Sequence, residues 1–270
     1  MRPGCDRVAK DDLLAVEEPM EIRVAFGPSD TRTARSLSVT MRTPGNDFEL
    51  AAGFLYTEGI LKDRSQIEAL DFCGPATPGR ETSNIVRVDL AAGVELDLKS
   101  LERHFYTTSS CGICGKASLD AVQVKGIEPL QDGVPRFARD VVHELPDRLR
   151  AAQPVFDRTG GLHAAGLVTP DGDLVEIRED VGRHNAVDKL IGRRFLDGET
   201  PLGAFGMVVS GRASFEILQK ALVAGIPVIV AVGAPSSLAV EMADRFGMTL
   251  IGFASGERFN LYAGANRIDG

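Results

Sequence analysis

Two thiols, Cys111 and Cys114, stand three positions apart in Thr107-Thr108-Ser109-Ser110-Cys111-Gly112-Ile113-Cys114-Gly115-Lys116. A pair at this spacing can hold a metal ion, cycle between dithiol and disulfide, or carry a sulfur atom as a persulfide. Gly112 and Gly115 remove bulk beside each sulfur, and four hydroxyl residues precede them with nothing apolar to bury the segment. The pair is therefore expected on a surface loop. Ala117 to Val122 begins with good helix formers, which would set the thiols just ahead of a helix N-terminus. Backbone N–H groups, the helix dipole and Lys116 would then favour thiolate over thiol.

A closed zinc site needs four ligands, and no second Cys pair has matching spacing; His104 and His163 are the side chains that could complete one. A zinc deaminase places His-x-Glu ahead of Pro-Cys-x-x-Cys, whereas His163-Ala164-Ala165 follows the cysteines and lacks the glutamate. Metal-dependent hydrolysis is disfavoured. Thiol–disulfide exchange is the stronger rival, although its usual setting is a βαβ unit near the start of a compact domain. Here the pair lies mid-chain among glycines and hydroxyls, as a mobile carrier arm would require. Cys5 is expected to be an incidental thiol in a loose terminus, and Cys73 a small packed core residue.

The other properties bound the answer. The chain has 270 residues, 44% hydrophobic and 25% charged, which is ordinary globular composition and sufficient for one large core or two moderate ones. A net charge of −8 disfavours broad nucleic-acid binding, so an anionic ligand must find a local basic pocket. Neither a signal-peptide run nor 18 uninterrupted apolar residues occurs. A soluble, cytoplasmic protein without membrane or nucleic-acid partners is expected, its thiols reduced at rest.

The elements that must position the thiols come next. Residues 1–19 read as a mobile arm before a strand over Met20 to Phe26. Ser36 to Met41 alternates as a half-buried strand, and Asn46 or Asp47 is placed to cap a helix over Phe48 to Tyr56, ended by Gly59. A Pro/Gly turn cluster from Gly74 to Thr82 precedes a strand over Asn84 to Leu90. Val141 to Phe156 reads as helical or mixed. A glycine-rich turn over Arg158 to Gly166 leads to a hairpin at Asp171-Gly172, between Leu167-Val168 and Leu174 to Ile177. From residue 180 the pattern becomes strong α/β alternation. Helices are expected over Gly182 to Ile191, Arg212 to Ala224 and Ser237 to Phe246, and strands over Phe205 to Val209, Pro227 to Val232 and Met248 to Phe253. Short glycine-bearing turns join them, as parallel βαβ crossovers require.

Ligands of open α/β sheets gather at the C-terminal ends of the strands. Three segments fall there: Ser210-Gly211-Arg212, Gly233 to Ser237, and Phe253 to Tyr262. Gly182, Arg183, His184, Asn185 and Lys189 share one helix start, where cationic groups suit a phosphate; a plain capping cluster explains them nearly as well. None of these is a GxGxxG or Walker loop, and ordinary βα turns account for the rim equally.

The combination of Cys111-Gly-Ile-Cys114-Gly, Asp180-Val-Gly-Arg-His-Asn-Ala-Val-Asp-Lys189, Ser210-Gly-Arg212 and Gly252-Phe-Ala-Ser-Gly-Glu-Arg-Phe-Asn260 resembles the FdhD family of formate dehydrogenase accessory sulfurtransferases. Glu18 to Arg23 and Arg42 to Phe54 fit as well, so the resemblance covers nearly the whole chain. It implies a sulfur carrier that accepts sulfur from a cysteine desulfurase. The sulfur passes to the bis(molybdopterin guanine dinucleotide) form of the molybdenum cofactor, Mo-bisMGD, before the formate dehydrogenase apoenzyme receives it.

The resemblance also implies a homodimer and an α/β fold with a cytidine-deaminase-like core of βαβ units lacking catalytic zinc. In that picture residues 1–19 are the arm, 20–106 a smaller N-terminal α+β region, 107–116 the mobile Cys-x-x-Cys loop and 117–270 the cofactor-binding domain. The persulfide cysteine matches Cys111, and the cofactor segment matches Phe253, Ala254, Ser255, Gly256, Glu257 and Arg258. Arg212, Arg183 and His184 are expected near phosphates, with no resident metal. Cys111 would attack the donor persulfide. Cys114 would assist that transfer, or release sulfur through a transient disulfide.

Overall fold

The computed structural model describes residues 11–28, 31–77, 79, 82–94 and 127–270. The thiol loop 107–116 with Cys111 and Cys114, the helix expected over 117–122, Cys5 and His104 lie outside the described residues. Twelve strands and six helices follow in chain order among those described. They are β1 (Glu18–Phe26), β2 (Thr33–Arg42), α1 (Asp47–Thr57), β3 (Ile67–Phe72), β4 (Ile85–Leu90), β5 (Phe137–Ala138), α2 (Arg139–Ala151), α3 (Pro154–Thr159), β6 (His163–Val168), β7 (Leu174–Asp180), α4 (Arg183–Leu196), β8 (Gly206–Val209), α5 (Phe215–Val223), β9 (Val228–Ala231), α6 (Ser237–Phe246), β10 (Thr249–Gly252), β11 (Asn260–Ala263) and β12 (Ile268–Asp269). This is a mixed α/β fold.

The six-stranded sheet runs β11-β10-β9-β8-β6-β7, with β8, β9 and β10 parallel and β6, β7 and β11 antiparallel to their neighbours. Its central strands are continuous apolar runs because both faces are covered. Met207, Val209, Ile229, Ala231 and Leu250 pack with residues of α4, α5 and α6 on one face. Val208, Val228, Val230 and Ile251 pack with Val142, Leu145 and Leu149 of α2 on the other. The period-two alternation of strand side chains thus divides the core into two layers.

A four-stranded sheet, β2-β1-β4-β3, lies beyond α1, and Met20, Ile22, Val24, Val86, Val88 and Leu90 belong to the same hydrophobic cluster as α4 and β8. Helices α1 and α4 join the two sheets and approach so closely that no side chain fits between them. A Cβ on Gly53 would clash with the Asp188 carbonyl oxygen and lie 2.7 Å from its carbon, and one on Gly192 would lie 2.7 Å from Gly53 N.

Several boundaries differ from expectation. Strand β1 begins at Glu18, so the end of the presumed arm is already in the sheet. Asn46 starts α1 in the left-handed region (φ 57°) with no side-chain cap, and Asp47 instead takes a fork from buried Arg42, Nε–Oδ1 3.0 Å and Nη2–Oδ2 2.9 Å. The stretch from Val141 to Phe156 divides into α2 and α3 with Pro154 in the first turn of α3, where a missing N–H costs nothing. Helix α5 begins at Phe215 rather than Arg212 because Ala213 bridges to Pro235 before the helix starts. Among the described residues no helix is long and apolar enough to cross a membrane.

Candidate functional site

The C-terminal ends of β8, β9 and β10 open onto loops that are bonded to one another through the backbone. Gly233 N donates to Gly211 O (2.9 Å), Phe253 N to Gly233 O (3.1 Å) and Ala254 N to Ala231 O (3.0 Å). Phe253 has φ 53°, a left-handed conformation that is costly for an aromatic residue, and its side chain stays 45% exposed. Because β6 runs antiparallel to β8, its first residue, His163, reaches the same edge. Ala164 N donates to Ser210 Oγ (2.8 Å), and Ser210 N donates to Ala164 O (3.0 Å).

Between this edge and helices α2 and α3 lies a cavity of about 600 Å³. Leu149, Leu162, Val232 and Ala254 give it apolar walls, while Asp147, Arg150, Gln153, His163 and Ser210 contribute polar groups. Arg150 Cζ lies 4.6 Å from the centre of the Phe156 ring, and its guanidinium pairs with Asp157 at 2.6 Å. Gln153 is 2% exposed, and its Nε2 has no acceptor among the described residues. A volume of this order and a largely apolar lining with a few polar groups suit a small organic ligand.

Of the residues expected at the site, Ala254, Ser255 and Gly256 line this cavity. Ser255 also closes the turn beyond it, its Oγ accepting from Arg258 N (3.2 Å), so Glu257 and Arg258 sit exposed at the tip. Arg212 is exposed on the neighbouring loop. Arg183 approaches from behind Gly211: a Cβ there would lie 3.4 Å from His163 Nδ1 and 3.8 Å from Arg183 Cδ. The Arg183 Nε is buried without an acceptor among the described residues.

His184 is not brought to the cavity. Its Nε2 meets Ser214 Oγ at 3.3 Å, and burial, with the charges of Arg183 and Lys220, pushes its pKa down to about 4 against the opposing pull of Glu216 and Glu58. Burial, then the charge of Arg183, also lowers His163, with Asp180 opposing. His184 is therefore neutral near pH 7 and supplies no positive charge for a phosphate.

A stability prediction follows from the depressed His184 pKa. Its contribution is whole above the ordinary value of 6.5 and is lost as pH falls toward 4, because the unfolded chain takes up the proton first. Lowering pH from 7 to 5 should cost about 1–2 kcal/mol through this group. Urea unfolding of wild type and His184→Gln at both pH values checks this. The variant should show a shallower pH slope, and equal slopes would discard the assignment.

The rest of the block from Asp180 to Lys189 is structural. Asp180 is 0% exposed and accepts from Thr43 N (3.1 Å), Gly182 N (2.8 Å) and Asn185 Nδ2 (3.0 Å), with Lys189 Nζ at 2.6 Å. Asp188 accepts from Thr57 Oγ1 (2.7 Å) and pairs with buried Lys220 at 3.0 Å. Among the described residues no three His, Cys, Asp or Glu side chains form a group that could hold a metal ion. Sequence reasoning missed Asp147, Gln153 and Phe156, since single polar or aromatic residues around a helix break carry no spacing signal.

Comparison with known proteins gives consistent matches. Residues 15–269 match the model of the FdhD/NarQ family. A protein of Streptomyces coelicolor named sulfur carrier protein FdhD is 54% identical over 96% of this chain and 90% of its own length. Proteins of the same name from Mycobacterium tuberculosis and Sulfurisphaera tokodaii are 51% and 42% identical, covering 97% and 96% of this chain and 93% and 92% of theirs. A crystal structure of a presumed formate dehydrogenase accessory protein from Desulfotalea psychrophila superposes with a TM-score of 0.73 at 27% identity, covering 100% of this chain and 96% of that one.

Proposed function

Since the chain belongs to the FdhD/NarQ family, we propose that it is a sulfur carrier serving formate dehydrogenase maturation, and that the cavity at the strand ends seats the guanine-bearing cofactor that takes the sulfur. The observation that carries this reading is that Ala254, Ser255 and Gly256, singled out for the cofactor, line one cavity together with Ser210 and His163. Arg212 and Arg258, exposed on the loops that follow β8 and β10, would meet the phosphates of Mo-bisMGD in this reading. Three parallel strands joined by α5 and α6, with helices on both faces, support the cytidine-deaminase-like core, and a cytoplasmic homodimer belongs to the same reading.

The sulfur chemistry needs no outside oxidant. The Cys111 thiolate attacks the terminal sulfur of the desulfurase persulfide; a new S–S bond forms on Cys111, the donor S–S bond breaks, and the donor cysteine leaves as thiolate. The sulfur then passes to Mo-bisMGD before the apoenzyme receives it. In the release mode, Cys114 attacks Cys111 Sγ, so the two cysteines are oxidised to a disulfide and the terminal sulfur leaves reduced, as hydrosulfide.

The test is mass spectrometry after incubation with a cysteine desulfurase and cysteine. Wild type should gain about 32 Da, one sulfur atom, on a single cysteine, and Cys111→Ala should gain none. Loss of about 2 Da without any gain, as a bare disulfide forms, would instead identify a dithiol redox factor.

A further inference from the structure

The segment Asp11-Asp12-Leu13-Leu14-Ala15-Val16 leads toward β1 without helix or strand of its own. Its composition is unlike that of a solvated arm, which would be polar throughout. Leu13, Leu14 and Val16 are 61%, 81% and 50% exposed, and none of them belongs to a hydrophobic cluster among the described residues. Three large apolar side chains within four residues call for a cover. One point of the segment is fixed. A Cβ on Gly161 would lie 3.4 Å from the Ala15 Cβ, so Ala15 rests against the glycine pair, Gly160 and Gly161, that lines the cavity.

The cavity offers what these side chains lack. Leu149, Leu162 and Ala254 line it with apolar surface, and Val232, which also lines it, is itself 39% exposed. Arg158, Arg212 and Arg258 each stand two residues along the chain from a lining residue, Gly160, Ser210 and Gly256 in turn. All three are exposed, and they form no ion pair among the described residues. The segment carries the complementary charge, since Asp11 and Asp12 directly precede its leucines. Four residues of extended chain from Ala15 to Asp11 reach about 13 Å, against a width of roughly 8 Å for a compact cavity of about 600 Å³. The segment therefore spans the opening and presents an anionic end and an apolar body to it.

We propose that residues 11–16 form an autoinhibitory strap hinged at Ala15, in which Leu13 and Leu14 close onto the apolar lining, Asp11 and Asp12 pair with the rim arginines, and an anionic ligand must displace them. With its leucines in water, the structure holds the open form. Charge decides the sense of the device. A strap closing over a bound diphosphate would set like charges together, whereas one closing on the empty cavity neutralises the arginines. The choice of displacing ligand rests on the cofactor seat proposed above; the strap rests on the Ala15 contact, the exposed leucines and the charges. A strap closed nine-tenths of the time weakens apparent ligand binding about 10-fold.

The chain contains no tryptophan, so Leu14→Trp places a single emitter on an exposed side chain. In the full-length variant, acrylamide quenching should rise at least ~2-fold when guanosine 5′-diphosphate opens the strap. It should rise likewise without nucleotide when Asp11→Asn and Asp12→Asn are added. In calorimetric titration, Leu13→Ser/Leu14→Ser should bind guanosine diphosphate about 3- to 10-fold more tightly than wild type. Weaker binding would make the segment a lid over bound ligand, and equal binding a free arm; either result overturns the strap. Quenching that responds to neither the nucleotide nor the Asp substitutions overturns it too, whether or not nucleotide binds. Quenching that rises only when the protein is diluted assigns the cover to a second copy, with the same consequence. If no form binds the nucleotide while the Asp substitutions still raise quenching, the strap stands and the cofactor seat falls.

Discussion

Exchanging Gly192 for alanine should leave little or no soluble, cooperatively folding protein. A methyl group there would clash with Glu49 O and approach Glu49 C at 2.8 Å and Gly53 N at 2.7 Å. These are backbone atoms of α1, so no rotamer change relieves the contact, and α1 must move away from α4. An extra methylene in a side-chain core commonly costs about 1–3 kcal/mol. Here the displaced object is a helix whose residues Leu50, Ala51, Ala52 and Leu55 are all packed in the common core, so the loss approaches the ~5–15 kcal/mol that stabilises a whole domain. Gly203→Ala is the control, because its Cβ would meet only Gly225 O at 3.7 Å. Comparing soluble yield and urea midpoints decides it, and a G192A protein that unfolds at the wild-type midpoint would refute backbone contact between the helices.

Lys189→Met should be the next most damaging change, at about 3–5 kcal/mol. Its Nζ is 2.6 Å from Asp180 Oδ2 and donates to Thr43 O at 2.7 Å, with both charged side chains at or below 2% exposure. Methionine keeps most of the stem but leaves a carboxylate in the interior with three neutral donors and no cation. The double variant Lys189→Met/Asp180→Asn removes the uncompensated charge and should recover part of the loss in urea unfolding. If the single and double variants are equally destabilised, lost packing rather than the orphaned charge explains the effect.

These two predictions mark where the sequence was legible and where it was not. Helix α6 lies over Ser237 to Phe246, the range expected from the α/β alternation, and the structure adds its cap, Ser236 Oγ accepting from Ala239 N. The hairpin at Asp171-Gly172 and the three parallel strands were equally readable, since both depend on local pattern. The cavity segment Ala254 to Gly256 was reached through resemblance, and the structure places it beside His163 and Ser210.

Other features depend on distant partners. Strand β3 escaped notice because Ile67-Glu68-Ala69-Leu70-Asp71-Phe72 alternates only loosely, and its place is set by pairing with β4. Strand β11 lies inside a segment that read as rim. Gly53 and Gly192 are unremarkable singly, as nothing in either helix announces the other. His184 looked like a phosphate ligand because a helix start with cationic neighbours is suggestive, yet its direction is set by Ser214, thirty residues on. Gln153 showed nothing until its missing acceptor could be seen.

The glycine contact also has an evolutionary reading. A seam made of main chain on main chain tolerates no drift on either side, so neither helix can accommodate a larger residue in the other. Recombination that exchanged the segment carrying α1 for that of a distant relative would succeed only when both lineages kept the two glycines and the same crossing. The two halves of this chain should therefore be inherited as a pair, with genealogies that agree even where their surfaces diverge.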